Sequence, residues 1–156
     1  MTQRLNDPPE GDSKTLSVTL ANDHARLTRL FGDVLAAFEA DARLESSALW
    51  TRFEQEIEAH FQLEEQHLFP RLARVKPGDA AALRIEHDAI RARIAELGVG
   101  LDLHLTRADL VEALMVDLQE HIERETTLLY PWVDETLPVA EQAWLVTQLL
   151  RTWPAL

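Results

Sequence analysis

The sequence predicts an all-α protein, an up-down-up-down antiparallel four-helix bundle with a short C-terminal helix. Leu and Ala dominate its 156 residues and Gly is scarce, a composition that favours helix over sheet. Apolar residues recur at helical spacing along four long stretches. The links between these stretches are short, which makes neighbouring helices antiparallel.

Composition and charge also limit the classes of function and the domain organisation that we expect. The formal net charge of −12 argues against a nucleic-acid partner and against a membrane partner, because both need a basic surface. The absence of cysteine excludes disulfides and thiolate ligands and fits a reducing compartment. We therefore expect a soluble cytoplasmic protein. Its parts are a flexible N-terminal arm without a signal peptide (1–14), the bundle (15–135) and a C-terminal amphipathic helix (136–156).

The first two helices each carry histidine on an apolar face. Helix one, over about 15–41, has the stripe Leu16, Leu20, Leu27, Phe31, Val34 and Phe38. His24 falls on that stripe. Helix two, over about 47–75, begins after a polar link and is capped by Ser46 or Ser47. Pro70 is expected to kink or shorten its end, because proline removes a backbone donor.

The third helix follows the turn Lys76-Pro77-Gly78-Asp79, with Asp79 as its predicted N-cap. Its apolar stripe again includes a histidine: Leu83, His87, Ile90, Ile94 and Leu97. Gly98-Val99-Gly100 is expected to break this helix near residue 97.

The fourth helix is predicted to start at Thr106, which with Asp109 resembles a capping box, and to end near Glu135. Its stripe is Leu110, Leu114, Leu118, His121, Glu125 and Leu128. Pro138 then opens the C-terminal segment. This segment has one apolar side that covers the bundle or meets a second subunit of a homodimer, formed by Trp144, Leu145, Leu149 and Trp153.

Two similar segments place charged side chains where core residues are expected. His60 and Glu64 are four residues apart on the apolar face of helix two. A segment 61 positions later repeats the pattern, His-x3-Glu-x3-Leu-aromatic-Pro, with His121 and Glu125. An unpaired carboxylate in a core is costly, so it requires a hydrogen-bonding cation, a proton or a metal ion.

The bundle topology brings these positions together. With a rise of about 1.5 Å per residue, six side chains fall within about two helical turns of one another on inward faces. These are His24, His60, Glu64, His87, His121 and Glu125. Four imidazoles and two carboxylates form a ligand set for two divalent metals, which the carboxylates can bridge.

Simpler interpretations exist for single residues. His24 or His87 alone is typical of a hydrogen-bonded core histidine, and His60 with Glu64 of an ordinary helix-face pair. His67, seven residues after His60, is either a fifth histidine ligand or a histidine at the core edge. His104 is expected at the surface. Three acids near the motifs, Glu56, Glu65 and Glu86, are expected to be solvated. Glu56 can alternatively reach the site or support a ligand.

The chain resembles the hemerythrin-like, or HHE cation-binding, domain family over roughly residues 15–135. The resemblance is carried by His24, His60-x3-Glu64 with Leu68-Phe69-Pro70, Glu86-His87, and His121-x3-Glu125 with Leu129-Tyr130-Pro131. It implies a four-helix bundle around a non-haem di-iron centre. In that centre Glu64 and Glu125 bridge two iron ions, and the four histidines are terminal ligands.

Two departures from oxygen-carrying hemerythrins bear on function. Leu83 stands where those proteins have a further histidine, and the spacing His121-x3-Glu125 is that of many bacterial members. Reversible oxygen carriage then requires a nitrogen from His67. Otherwise both irons have more open positions, which favours chemistry with a small ligand.

Three functions from different classes follow. The first is a di-iron protein that binds or senses a small diatomic ligand, O2 or NO; zinc or manganese can substitute for iron in such a site. The second is a di-iron enzyme or an iron-donating repair protein for peroxide or nitrosative stress. The third is a metal-free helical interaction module.

Overall fold

The computed structural model describes residues 15–103, 105 and 108–153. Within these ranges the elements are helical and no strand occurs. The helices are α1 (Leu16–Glu39), α2 (Arg43–His67), α3 (Phe69–Val75), α4 (Pro77–Asp102), α5 (Ala108–Arg124), a π-helical turn (Glu125–Leu129), α6 (Tyr130–Thr136) and α7 (Val139–Arg151). The predicted all-α class is confirmed. The predicted arm (1–14), His104 and Thr106 lie outside the described residues.

The helices enclose one core that a polar layer divides. α1 packs on α2, α2 and α3 pack on α4, α5 packs on α4, and both α6 and α7 contact α1. Apolar side chains form two clusters, one around Leu20, Leu68 and Leu83 and the other around Phe31, Phe53 and Ile90. The polar layer consists of buried histidines and acids near the junction of the two clusters, such as His24 in α1 and His87 in α4. None of the described helices is long and apolar enough to cross a membrane.

Two predicted helix caps are wrong. α2 begins at Arg43, before the serines, and Ser46 Oγ donates within the first turn to the Arg43 carbonyl at 3.1 Å. α4 begins at Pro77, so Asp79 lies in its first turn, where a negative charge favours the helix dipole. α1 ends at Glu39, ahead of the left-handed residue Asp41 at φ 55°.

Pro70 shortens the second helix as predicted. α2 ends at His67, and Pro70 occupies the first turn of α3, where no backbone donor is needed. In the repeated segment Pro131 takes the same place in α6, directly after the π-helical turn. That turn is closed by the Tyr130 N–H donating to the Glu125 carbonyl, five residues back. The two copies therefore differ in backbone where Glu125 enters the site.

The predicted break at Gly98 is wrong, because α4 continues to Asp102. Gly98 instead allows α4 to pack closely against α2. A Cβ at this position would lie 2.9 Å from Trp50 Nε1 and 3.4 Å from Glu54 Oε1. Trp50 is buried and packs against Phe31, so its ring has little room to move.

We expect Gly98→Ala to lower the free energy of unfolding by about 1 kcal/mol, because overpacking against Trp50 outweighs the gain in helix propensity. Urea denaturation measures the change. Gly32→Ala is the matched control, since a Cβ there meets nothing within 4 Å of the described structure. It should raise the free energy of unfolding by about 0.5–1 kcal/mol. Equal effects of the two substitutions would contradict the packing explanation.

The C-terminal segment forms α7 along α1, with contacts to α2. Leu145 and Leu149 are buried, as predicted for its apolar side. Trp144 is 49 % exposed, so it does not share that buried side. Instead, the side chain of Trp153 stacks over the Arg26 guanidinium at 5.3 Å.

Candidate metal centre

The structure brings all six predicted ligands together in the polar layer. α1 contributes His24, α2 contributes His60 and Glu64, and α4 contributes His87. His121 comes from α5, and Glu125 opens the π-helical turn. All six side chains are buried. Their ligand atoms form two sets, each with atoms within 4.8 Å of one another: group A is His24, His60, Glu64 and Glu125, and group B is Glu64, His87, His121 and Glu125.

Both carboxylates belong to both groups, with one oxygen turned toward each. Glu64 Oε1 lies 3.2 Å from His60 Nε2, and Glu64 Oε2 lies 3.4 Å from His87 Nε2. Glu125 Oε2 lies 3.1 Å from His24 Nε2, and Glu125 Oε1 lies 3.1 Å from His121 Nε2. This is the arrangement in which two carboxylates can bridge two metal ions.

Several of these atoms lack a hydrogen-bond partner within the described structure. They are His60 Nε2, both carboxylate oxygens of Glu64, and Glu125 Oε1. His60 Nε2 and Glu64 Oε1 are close but not aligned for a hydrogen bond. Buried polar atoms without partners cost about 1–3 kcal/mol each, more for charged groups. Imidazole nitrogen and carboxylate oxygen are donors that suit iron, zinc and manganese, so the residues present fit divalent metal ions.

The Nδ1 atom of each of the four candidate histidines also has a hydrogen-bond partner. His60 Nδ1 donates to Asp23 Oδ2 at 2.8 Å. The other three Nδ1 atoms have partners at similar distances: His87 with Glu65 Oε1 at 2.8 Å, His121 with Glu86 Oε2 at 3.0 Å, and His24 with the Tyr130 hydroxyl at 2.9 Å. A proton fixed on Nδ1 leaves the Nε2 lone pair turned inward, as metal-binding histidines require.

Arginines hold the supporting carboxylates in turn. Arg26 binds Asp23 at 2.7 Å, and Arg91 binds Glu65 at 2.8 Å. Arg124 binds Glu86. Each of these carboxylates is therefore held in one orientation, and through them so are the rings of His60, His87 and His121.

The prediction that Glu56, Glu65 and Glu86 are solvated is wrong for all three. Glu65 and Glu86 are mostly covered and accept from ligand histidines. Glu56 is buried between Arg26 and Arg52, and it reaches the site only through Arg26. Asp23 and Tyr130 were not among the residues predicted to form the site. The available signals were that Asp23 lies three residues from Leu20 and four from Leu27 on the apolar face of α1, and that Tyr130 is the only Tyr of the chain.

Charge in the metal-free centre is balanced within the cluster. Burial opposes protonation of His60, but Glu64 and Asp23 outweigh it and hold the pKa of His60 well above its usual value. Burial likewise opposes protonation of His121, yet Glu125 and Glu86 raise its pKa to about 9. Burial alone favours a neutral Glu125, but His121 and the other histidines hold its pKa well below the usual value. Without metal, protons on His60 and His121 therefore offset carboxylate charge in the cluster.

We expect Zn²⁺ uptake at pH 7 to release protons, at least about one per chain, because metal ions bind only the deprotonated imidazole. His121, with a pKa of about 9, is protonated at pH 7 in the metal-free protein. A pH indicator in weakly buffered solution measures the release. The amount should fall once the starting pH exceeds about 9. Uptake of zinc at pH 7 with no proton release would contradict the charge balance.

A small, mostly apolar cavity adjoins the centre between α1, α2 and α5. It has a volume of about 10 Å³, just large enough for one water molecule, and is lined by His24, His60, His121 and apolar side chains. A cleft of about 200 Å³ lies beside it and reaches Met115 and Gln119. The cavity and the cleft share three lining residues, Thr28, Leu118 and Ile122. The walls are apolar enough to admit a small neutral molecule without desolvating a charge.

Two further positions from the sequence lie away from the six ligands. Among the described histidines, His67 belongs to neither group, and its ring packs edge-on against Trp144 at 5.2 Å. The position that holds a further histidine in oxygen carriers, Leu83, is fully buried in the apolar core. Neither position brings an additional nitrogen to the centre.

Comparisons with known proteins agree with the site. The sequence model described as hemerythrin HHE cation-binding domain matches residues 15–133, which include all six ligand positions and all four supporting residues. Neither a search of curated proteins nor a search of solved structures found a match.

Proposed function

The chain belongs to the hemerythrin HHE cation-binding domain family, and from that membership we propose that it is a non-haem di-iron protein that binds or senses a small ligand such as O2 or NO. The single observation that carries this proposal is the sharing of Glu64 and Glu125 between two ligand groups. A shared carboxylate pair supports two metal ions held side by side rather than one.

We infer one metal position for each ligand group. Group A would hold one iron and group B the other, with one oxygen of each shared carboxylate directed to each ion. Bound ferrous iron supplies an open coordination position and an electron source for a diatomic ligand. Zinc or manganese can occupy the same nitrogen and oxygen donors.

The donor set favours binding over oxidative chemistry. Four imidazoles and two carboxylates give fewer anionic oxygens than carboxylate-rich sites do, and anionic oxygen donors stabilise high oxidation states. The apolar cavity beside His24 and His60 favours a small neutral ligand over an anion. Both features support reversible capture or sensing of O2 or NO.

The composition of the two core clusters supports an up-down-up-down bundle around the centre. The start of α1 (Leu16) shares a cluster with the end of α2 (Leu63) and the start of α4 (Ala80). The end of α1 (Val34) shares the other cluster with Trp50 near the start of α2, and with Leu101 at the end of α4 and Leu114 in α5. Such pairing of opposite ends is typical of antiparallel neighbours.

The test is reconstitution with ferrous iron without oxygen, followed by metal analysis and the visible spectrum before and after addition of O2 or NO. Two irons per chain and a new absorption band with either gas are expected. Loaded protein without a spectral response to either gas would overturn the ligand-binding proposal. Iron that leaves the protein on exposure and is transferred to an iron-free acceptor would instead favour the iron-donating repair function.

A further inference from the structure

The C-terminal helix α7 lies beyond the part of the chain that matches the family. The family model covers residues 15–133, whereas α7 is Val139–Arg151. None of the six candidate ligands and none of their supporting residues lies on α7. Leu149 anchors the helix in the apolar core, and the Trp153 N–H donates to the Leu150 carbonyl at 3.3 Å in the turn that follows. This turn places Trp153 next to α1.

The face of the Trp153 ring lies on the guanidinium of Arg26, with 5.3 Å between the ring centroid and Arg26 Cζ. The negative face of an indole attracts a guanidinium at this distance, and more strongly where water is excluded. The indole N–H is buried and has no hydrogen-bond partner within the described residues. Trp153 therefore acts on Arg26 through its aromatic face rather than through its N–H.

Arg26 is the most covered of the three arginines that hold the supporting carboxylates. Its side chain is 16 % exposed, against 29 % for Arg91 and 48 % for Arg124. Carboxylates accept along the edge of the Arg26 guanidinium, and Trp153 covers its face. An ion pair shielded from water is stronger and less screened than one at the surface. Removal of the indole would therefore expose the ion pairs of Arg26.

Arg26 connects Trp153 to a ligand of group A through one carboxylate. Arg26 donates to Asp23 Oδ1 from Nε at 2.9 Å and from Nη2 at 2.7 Å. The other oxygen of that carboxylate, Oδ2, accepts from His60 Nδ1 at 2.8 Å. A carboxylate held by a guanidinium keeps its orientation, and that orientation sets the direction of the acceptor for the imidazole. Three successive contacts therefore join Trp153 to His60.

We propose that Trp153 is a positioning residue of the metal centre: it holds Arg26 on Asp23, which orients His60, and so couples the docking of α7 to metal occupancy of group A. This inference rests on the proposed function, which requires the six ligands but not α7. The coupling is reciprocal. If docked α7 strengthens metal binding by some factor, bound metal favours docked α7 by the same factor.

Co²⁺ titration of the metal-free protein, followed by visible absorption, measures the contribution of Trp153. Trp153→Ala should weaken one of the two Co²⁺ equivalents about 10-fold, the lower end of the loss seen when the partner of a metal-binding histidine is removed. Trp153→Phe keeps an aromatic face on Arg26 and should lose at most about 3-fold. Trp144→Ala removes a half-exposed Trp of α7 and is the matched control, with wild-type binding expected. Equal affinities of Trp153→Ala and the wild type would overturn the inference.

A double-mutant cycle separates positioning through Asp23 from packing of α7. Asp23→Asn keeps an acceptor for His60 but removes the charge that holds Arg26. In this background Trp153→Ala should cause no further loss of Co²⁺ affinity. The same 10-fold loss in both backgrounds would assign the effect to packing of α7 and overturn the positioning role. Circular dichroism of each variant shows that a lost affinity is not lost folding.

Proton NMR of the metal-free protein gives a measurement that needs no metal. The Nδ1–H of His60 is buried and hydrogen-bonded, so we expect a slowly exchanging downfield resonance. In Trp153→Ala this proton should exchange at least about 10-fold faster. The corresponding protons of His87 and His121, which have other partners, should be unaffected. An unchanged His60 resonance would contradict the proposal.

Hydrogen exchange of the α7 amides tests the reverse direction of the coupling. Saturation of the wild type with Zn²⁺ should slow exchange in the last turns of α7 by about the same 10-fold factor, and Trp153→Ala should lose this slowing. Exchange of α7 that ignores Zn²⁺ in the wild type would overturn the coupling and leave the metal centre standing. Failure of the wild type to bind Co²⁺ or Zn²⁺ would instead remove the proposed function, and the NMR comparison would still decide whether Trp153 positions His60.

Discussion

Replacement of Glu125 by Gln should abolish metal binding at both groups, with apparent affinities at least about 100-fold weaker than in the wild type. Glu125 places one oxygen 3.1 Å from His24 Nε2 and the other 3.1 Å from His121 Nε2. An amide keeps the size of the side chain but loses its negative charge, and one of its two ends becomes a donor that repels a cation. One substitution should therefore weaken metal binding at both groups.

Metal content per chain after reconstitution with Fe²⁺, and a Co²⁺ titration, measure this loss. Glu123→Gln is the matched control, because Glu123 is exposed and lies two residues away on α5. It should bind metal as the wild type does. A Glu125→Gln protein that retains one tightly bound metal ion would show that Glu125 serves one group only.

Replacement of Asp23 by Ala should lower the free energy of unfolding of the metal-free protein by about 3 kcal/mol. Asp23 is fully buried, and its carboxylate accepts from His60 at 2.8 Å and from Arg26 at 2.9 and 2.7 Å. Removal leaves a largely covered guanidinium and a buried imidazole without their shared partner. Arg26 keeps Glu56 as a partner, but Nδ1 of the buried His60 loses its acceptor, and breaking a buried charged pair is costly.

Urea denaturation of the metal-free variant measures the change in stability. Asp33→Ala serves as control, since Asp33 is an exposed residue of the same helix. Its effect should stay within about 0.5 kcal/mol. If Asp23→Ala unfolds at the same urea concentration as the wild type, the buried network does not stabilise the fold.

Helical periodicity was enough to select the six candidate ligands, because it depends only on spacing within single helices. His60 and Glu64, like His121 and Glu125, are four residues apart and share one face of one helix whatever the rest of the chain does. His24 and His87 were found because they interrupt apolar stripes. Composition likewise determined the all-α class, since an Ala- and Leu-rich chain with little Gly has few alternatives.

Helix boundaries were harder to predict from the sequence. Gly98 was predicted to break the helix, yet α4 continues past it, and Trp50 on another helix occupies the space that a side chain at position 98 would need. The same ambiguity applies to the serines at 46 and 47, which are equally acceptable inside a first turn and before it. Local propensities there are small, so tertiary contacts decide.

Only the tertiary structure decided which residues support the ligands. Asp23 meets His60 across 37 positions of sequence, Glu86 meets His121 across 35, and Tyr130 meets His24 across 106. Periodicity states which side chains face inward, but the rotation and axial offset of each helix set which of them meet. The acids that orient the histidines have the composition of a solvated surface, and they become part of the centre because helix packing covers them and pairs each with an arginine. The sequence by itself therefore determined the six candidate ligands, each on the inward face of one helix, whereas the residues that orient them depend on contacts between helices.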